Sequence, residues 1–108
     1  DQLKEYGVKI ANIIPDYCTK YNWQNFHILL DEKYNRDQVV DLLRKRNIGC
    51  KWDIQAIHTE PAYKSKTQLL QTMIYHNHGL WLAFYAEITK KEQDYVIQNL
   101  KEVLNELR

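Results

Sequence analysis

The stretch NFHILLDEKYNRDQVVDLLRKRNIGC, residues 25–50, contains a strand, a helix and the start of a second strand. Its first part, residues 25–31, is largely apolar, which is typical of a strand buried on both faces. Asn35 is a good helix N-cap, and Gln38 three residues later completes the pattern of a capping box. The apolar side chains that then repeat at helical spacing are Val39, Leu42 and Leu43. Gly49 is predicted to turn the chain into the next strand.

Three basic residues, Arg44, Lys45 and Arg46, end this predicted helix. The helix dipole favours cations in the last turn. We therefore interpret the basic run as structural, in preference to a phosphate site.

Strand-like and helix-like segments alternate along the rest of the chain. Residues 16–24 are polar and rich in tyrosine, and we interpret them as a loop. Gly79, just past a predicted helix, suits a left-handed helix cap. Thr89 and Glu92 form a capping box at the start of the last helix. The other predicted strands are 8–14, 50–57 and 80–86. The predicted amphipathic helix 67–77 carries Leu69, Leu70, Met73 and Ile74 on one face, and the last helix carries Val96, Leu100, Val103 and Leu107.

This order of elements predicts one α+β domain over residues 1–108. We expect a two-layer sandwich, with helices on one face of a mostly antiparallel sheet of three or four strands. Because the strands are so apolar, the second face of the sheet would also need a cover.

Composition argues against several classes of protein. No apolar run approaches the about 20 residues that span a membrane. Fifteen basic and fourteen acidic residues give a net charge of +1, which argues against a nucleic-acid binder. Cys18 and Cys50 are too few for a disulfide scaffold, and the expected location is the reducing cytoplasm, with Cys50 as a small buried residue.

The sequence motifs for a metal site, a catalytic nucleophile or a nucleotide site are weak. His76 and His78 are the nearest pair of metal ligands, but two histidines at a helix end are more often capping or solvated residues, so we predict no metal site. Ser65 lacks the glycines of a nucleophile elbow, and no phosphate-binding glycine loop is present. The aromatic strands could stack RNA bases, but the sequence pattern of an RNA-recognition module is missing, and packing explains these residues better.

Four segments, in order, resemble the C-terminal small domain of the DegT/DnrJ/StrS family of pyridoxal-phosphate-dependent sugar aminotransferases. The resemblance covers about residues 22–104. Arg36-Asp37 matches the Arg-Asp or Arg-Glu pair near the start of the family's helix, and residues 44–49 match its end, K-x-x-G-I. Residues 56–63, AIHTEPAY, resemble the family's P-L-H-x-x-P-A-Y loop. Residues 80–97 resemble L-P-L-Y-P-x-L-T-x-x-E-Q-x-x-V-I.

The resemblance implies that the large and small domains of the enzyme have different roles. In the family, a large domain carries the lysine that binds pyridoxal phosphate, the aspartate partner of its ring nitrogen and the phosphate-binding residues. The small domain covers a site that binds an amino donor and a nucleotide-linked sugar, and members typically form homodimers. We therefore expect no catalytic and no cofactor-binding residue in this chain. The residues expected near the substrate are His58, Thr59, Asp53, Trp52 and Tyr63.

Several positions depart from the family pattern. Asp53-Ile54 stand where a His-Tyr pair is common, Ala56 replaces a proline, and both prolines of L-P-L-Y-P are lost. An unusual substrate or a paralogue that no longer catalyses transfer would explain this. The alternative hypothesis is therefore a stand-alone binding or dimerisation module derived from the domain.

Overall fold

A computed structural model of the chain describes residues 2–11, 14–63 and 65–108. Strands and α-helices follow one another in these ranges in the order β1, β2, α1, β3, α2, β4, α3. Their bounds are Lys9–Ile10 (β1), Phe26–Leu29 (β2), Arg36–Lys45 (α1), Cys50–Trp52 (β3), Leu70–His78 (α2), Gly79–Leu82 (β4) and Lys90–Glu106 (α3). Two short 3-10 helices span Lys4–Tyr6 and Ile57–Thr59.

The strands form an antiparallel sheet in the order β1-β2-β4-β3. In the two central strands, Ile28 lies opposite Leu80, and His27 lies opposite Trp81. Lys51 of the edge strand β3 lies on the other side of Trp81. Successive side chains point to opposite faces of a sheet. One face therefore carries Ile28 and Leu80. The other carries a row of polar and aromatic residues, His27, Trp81 and Lys51.

Helices α1 and α3 cover the Ile28 face and close an apolar core. Leu43 of α1 and Leu100 of α3 are completely buried there, as is Leu80 of the sheet. The rest of this core consists of Tyr6, Val8, Ile28, Leu30, Tyr34, Val39, Val40, Ile48, Val103 and Leu104. The predicted α+β class, with a mostly antiparallel sheet of three or four strands, is confirmed.

The start of α3 matches the sequence pattern. Thr89 Oγ1 accepts a hydrogen bond from Glu92 N at 3.2 Å, and Thr89 N donates to Glu92 Oε2 at 2.8 Å, which completes a capping box. At α1, Asn35 Oδ1 accepts from Gln38 N at 3.1 Å. Both caps satisfy backbone donors that a helix start otherwise leaves free.

The basic run at the end of α1 makes contacts within the domain. The Arg44 guanidinium donates to Cys50 O at 3.1 and 3.0 Å, which links α1 to β3. Arg46 Nη1 donates to Glu102 Oε2 at 3.0 Å and links α1 to α3. Cys50 itself is half-buried, and this burial raises the pKa of its thiol, although the Arg44 charge opposes the shift.

Several predicted bounds were too wide. Strands predicted over 50–57 and 80–86 end at Trp52 and Leu82, because residues beyond them leave the sheet. Strand 8–14 shortens to Lys9–Ile10, and its residues 12 and 13 lie outside the described ranges. The helix predicted over 67–77 begins at Leu70, where Leu69 at the N-cap position has no side chain that could cap it.

The predicted left-handed cap at Gly79 is wrong. Gly79 is extended, with φ −74° and ψ 141°, while Asn47 has a φ of 59° just past α1. Asparagine is one of the few side chains that adopts this conformation readily. Gly79 is needed for a different reason, because a Cβ there would collide with Tyr75 O of α2 and lie 2.6 Å from the Cβ of Asp53.

Candidate functional site

Residues 53–59, which we call the strap, leave β3 and cross to the 3-10 helix Ile57–Thr59. The strap begins where Asp53 N donates to Gly79 O at 3.2 Å. Ala56 in its middle is completely buried. The turn then closes tightly, because Thr59 N and Thr59 Oγ1 both donate to Ala56 O, at 2.9 and 2.7 Å. The position of Ala56 therefore determines where the next three residues stand.

An open groove of about 640 Å³ lies between the end of the strap and the start of α2. Its size is within the usual range of small-molecule sites. Hydroxyl, amide, imidazole, amine and carboxylate groups share its walls with apolar side chains. The lining residues are His58, Thr59, Glu60, Pro61, Ser65, Lys66, Thr67, Gln68, Leu69, Leu70 and Met73.

The apolar side of this groove is exposed. Helix α2 has no buried residue, and Leu69 and Leu70 are 44% and 73% exposed. Met73 and Ile74, from the same predicted face of the helix, are half-buried. The apolar face of α2 is therefore only partly covered by the described part of this chain.

A buried carboxylate lies at the start of the strap. The Asp53 side chain is 1% exposed, and its Oδ1 lies 2.5 Å from His27 Nδ1. The same oxygen accepts a hydrogen bond from Trp81 Nε1. Lys51 Nζ lies 3.9 Å from the centre of the Trp81 ring, on the outer side of this polar row.

A second contact holds the middle of the strap. The Ala56 N–H donates to His76 Nδ1 at 3.2 Å, and Ile54 O lies 3.0 Å from the same nitrogen. Arg36 fixes the end of α2 in turn, since its Nη1 donates to His76 O at 2.9 Å and to Gly79 O at 3.1 Å. His76 is thus engaged by the strap. Within residues 2–11, 14–63 and 65–108, no group of three or more His, Cys, Asp or Glu side chains could hold a metal ion.

The residues predicted to lie near the substrate are only partly brought together. His58 and Thr59 line the groove, and Asp53 is buried at the start of the strap that carries them. Trp52 is 53% exposed, and its ring centre lies 6.0 Å from the Arg44 guanidinium carbon on the α1 side of the sheet. Tyr63 is 66% exposed, and its N–H donates to Glu60 O at 3.0 Å.

Two partners of the strap, His27 and Trp81, were missed by the sequence analysis. Each lies in a predicted strand, and the alternation of side chains along that strand could have assigned each of them to a face of the sheet. The register that sets them side by side, next to Asp53, depends on long-range pairing. The polar cluster was therefore visible only once the sheet was assembled.

The groove and the Asp53 cluster do not supply the residues that pyridoxal phosphate takes, the cofactor that the resemblance implies for the parent enzyme. That cofactor takes a lysine and a carboxylate or arginine partner for its ring nitrogen. Lys66 of the groove is exposed, and the buried carboxylate of Asp53 already binds His27 and Trp81.

In the described part of the chain, no helix has both the length and the apolar character to cross a membrane.

Solved structures with the same fold are sugar and related aminotransferases. The aminotransferase TlmJ from Streptoalloteichus hindustanus is 16% identical with a TM-score of 0.82, and the match covers 99% of this chain and 31% of that protein. The putative sugar aminotransferase Spr1654 from Streptococcus pneumoniae, in its PLP form, is 12% identical with a TM-score of 0.78, over 99% of this chain and 29% of that one. A DegT DnrJ EryC1 StrS aminotransferase from Brucella abortus is 20% identical with a TM-score of 0.74, over 94% and 27%.

The chain thus corresponds to 27–31% of the length of these proteins. At such low identity the structural likeness establishes the fold alone. The family is shown by sequence, because a family model described as the DegT/DnrJ/EryC1/StrS aminotransferase family matches residues 1–101. The chain belongs to the DegT/DnrJ/EryC1/StrS aminotransferase family.

Proposed function

We propose that this chain is the C-terminal domain of a pyridoxal-phosphate-dependent aminotransferase that acts on a nucleotide-linked sugar in the cytoplasm. In that enzyme it covers and shapes the substrate pocket, and alone it catalyses no transfer. The observation that carries this proposal is the groove, because residues 58–61 of the family-like loop border it directly. The PLP form of Spr1654 supports the choice of cofactor.

The chemistry of the groove suits a sugar bearing phosphates. Thr59, Ser65 and Thr67 offer hydroxyl groups, and Gln68 offers an amide. Such groups can both donate to and accept from sugar hydroxyls. Lys66 offers a cation to a phosphate. The groove thus combines neutral hydrogen-bonding groups with one cation, Lys66, and one carboxylate, Glu60.

Each of the five predicted site residues has a place in this proposal. His58 and Thr59 would contact the ligand from the wall of the groove. Tyr63, on the exposed loop after it, and Trp52, at the sheet edge, would approach the ligand or the large domain only in the complete enzyme. The family pattern implies that Asp53 lies near the substrate, although its side chain is only 1% exposed.

The exposed apolar side chains support the proposal that another domain covers this surface. Leu69 and Leu70 of the groove, together with Ile57, are 44%, 73% and 58% exposed. Large apolar side chains left this exposed are candidates for an interaction site. We propose that the large aminotransferase domain covers it, in an enzyme that works as a homodimer.

The proposal is tested first with the cofactor. The 108-residue chain is mixed with pyridoxal phosphate, passed through a desalting column and examined by absorption spectroscopy. We expect no stable covalently bound cofactor. A stoichiometric band that survives desalting and disappears in one lysine variant would overturn the proposal that the cofactor lysine lies elsewhere. A chain that forms dimers by itself and binds no sugar nucleotide would support the stand-alone module.

The substrate contact is tested by His58→Ala in the intact protein that carries this chain. Loss of a direct hydrogen bond should raise KM for the nucleotide-linked sugar about tenfold. Lys45→Ala, at an exposed position of α1 outside the groove, is the matched control and should leave KM unchanged. Equal KM values for all three proteins would remove His58 from the substrate site.

A further inference from the structure

Asp53 is the one buried charged residue among the residues that the structure describes. A buried carboxylate is unfavourable unless hydrogen bonds satisfy it. Two donors, His27 Nδ1 and Trp81 Nε1, meet its Oδ1, and they come from the two central strands β2 and β4. Removing the carboxylate would leave both donors without this acceptor, so the contact strongly restrains the start of the strap.

The packing around this carboxylate leaves little freedom. Gly79 lies so close that an added Cβ would approach Asp53 Oδ2 to 2.7 Å. From this fixed point the strap runs three residues to Ala56, which His76 holds from α2. The hydrogen bonds from Thr59 to Ala56 O then set the wall of the groove.

Asp53 does not line the groove, and its side chain is almost fully enclosed. We propose that Asp53 is a positioning residue that anchors the strap to the central strands through His27 and Trp81, and thereby holds His58 and Thr59 in place for the ligand. It does not touch the ligand. The identity of that ligand, a nucleotide-linked sugar, rests on the proposed function, whereas the anchoring does not.

The anchoring is tested by hydrogen exchange of the 108-residue chain, measured by NMR. Asp53→Ala should speed exchange of the Ala56 and Thr59 amides at least about tenfold, because their positions depend on the anchor. The amide of Leu104 in α3 should change less than about twofold, since the opposite core does not depend on it. Trp81→Phe removes one donor and should give an intermediate effect. Asp53→Asn keeps an acceptor oxygen and should restore most of the protection.

Two exchange outcomes would overturn the proposal. One is unchanged exchange at Ala56 and Thr59 in Asp53→Ala. The other is equal acceleration at these amides and at Leu104, since Asp53 would then support the whole domain and not the strap in particular. If Asp53→Ala does not fold, Trp81→Phe and Asp53→Asn decide the question by the same comparison.

A binding measurement connects the anchor to the groove. UDP-glucose and dTDP-glucose serve as probes in calorimetric titrations of the intact protein. Asp53→Ala should weaken binding about tenfold, Asp53→Asn less than about threefold, and Asp53→Ala combined with His58→Ala little more than His58→Ala alone. Additive losses from Asp53→Ala and His58→Ala would contradict positioning. If neither probe binds the unaltered protein, the proposed substrate class fails, while the exchange experiment still decides the role of Asp53.

Discussion

The two sides of the domain are held together by different forces. On one side, α1 and α3 bury Leu43 and Leu100 completely against the sheet. On the other, α2 buries no residue and Leu70 is 73% exposed. That second side is fixed by polar contacts, in which Asp53 and His76 hold the strap.

This difference separates stability from function. Apolar burial is the main source of folding free energy, so the α1–α3 side should carry most of the stability of the chain. The strap and α2 have few buried apolar contacts, and regions of that kind open at lower free energy. A surface that is shaped by hydrogen bonds and left apolar outside is suited to being completed by another domain.

The largest effect is expected in the core. Leu100→Ala should lower the free energy of unfolding by about 2–5 kcal/mol, because it removes completely buried methylene groups and leaves a cavity. Leu70→Ala removes the same atoms from an exposed position and should change it by less than about 0.5 kcal/mol. Chemical denaturation of both variants measures the contrast.

A similar loss of unfolding free energy in both variants would contradict the proposed difference between the two sides of the domain. It would mean that α2 packs in solution against a surface of this chain or of a second copy. Repeating the Leu70→Ala measurement at several protein concentrations separates these two cases, because only self-association makes the loss depend on concentration.

Local sequence patterns predicted the α1–α3 side well. The capping box at Thr89 and Glu92, and the periodic apolar residues of α3, depend on neighbours within a few positions. Patterns of that range are readable without a fold. The basic run after Leu43 was correctly given a structural role, although its partners on β3 and α3 were not foreseen.

The strap side was less predictable because its contacts are remote in sequence. His27 and Asp53 are 26 positions apart, and Trp81 lies 28 positions beyond Asp53. Nothing local indicates that an aspartate after a strand will be buried. Gly79 was misread because its need for space comes from Asp53, a remote contact, together with Tyr75 O of α2.

The capping of α3 offers a smaller contrast. Thr89→Ala removes the hydroxyl that accepts from Glu92 N, so it should cost about 1 kcal/mol of unfolding free energy. Thr89→Ser retains the hydroxyl and is the matched control, which should lose much less. Thermal unfolding measures both. Identical behaviour of the two variants would show that the cap does not contribute.

The opposite change is expected at α2, whose N-cap residue, Leu69, makes no side-chain cap. Leu69→Asp should supply one and stabilise the first turn of α2 by about 0.5–1 kcal/mol, measured by amide exchange. Leu69→Ala controls for the lost apolar side chain and should give no gain. If the proposed large domain covers Leu69, the same Asp variant should also weaken the docking of that domain.

The smallest effect is a difference in response to acid. Hydrogen bonds from the Thr89 side chain and backbone, and then from Tyr85, lower the pKa of Glu92 below the ordinary glutamate range. Because the folded pKa lies below the unfolded one, Glu92 stabilises the chain above its unfolded pKa. This contribution disappears as pH falls through the folded value.

NMR shifts of the Thr89 and Glu92 amides, followed down through the acid range, should therefore report fraying of α3. Glu92→Gln should flatten this response, because it removes the titrating group. Helix α2 has no acidic residue in its first turn, so the amides there should not show this response to acid. An equal acid response in both helices would assign the effect to general loss of structure. A response confined to α3 would show that the two sides of the domain are held by separable interactions.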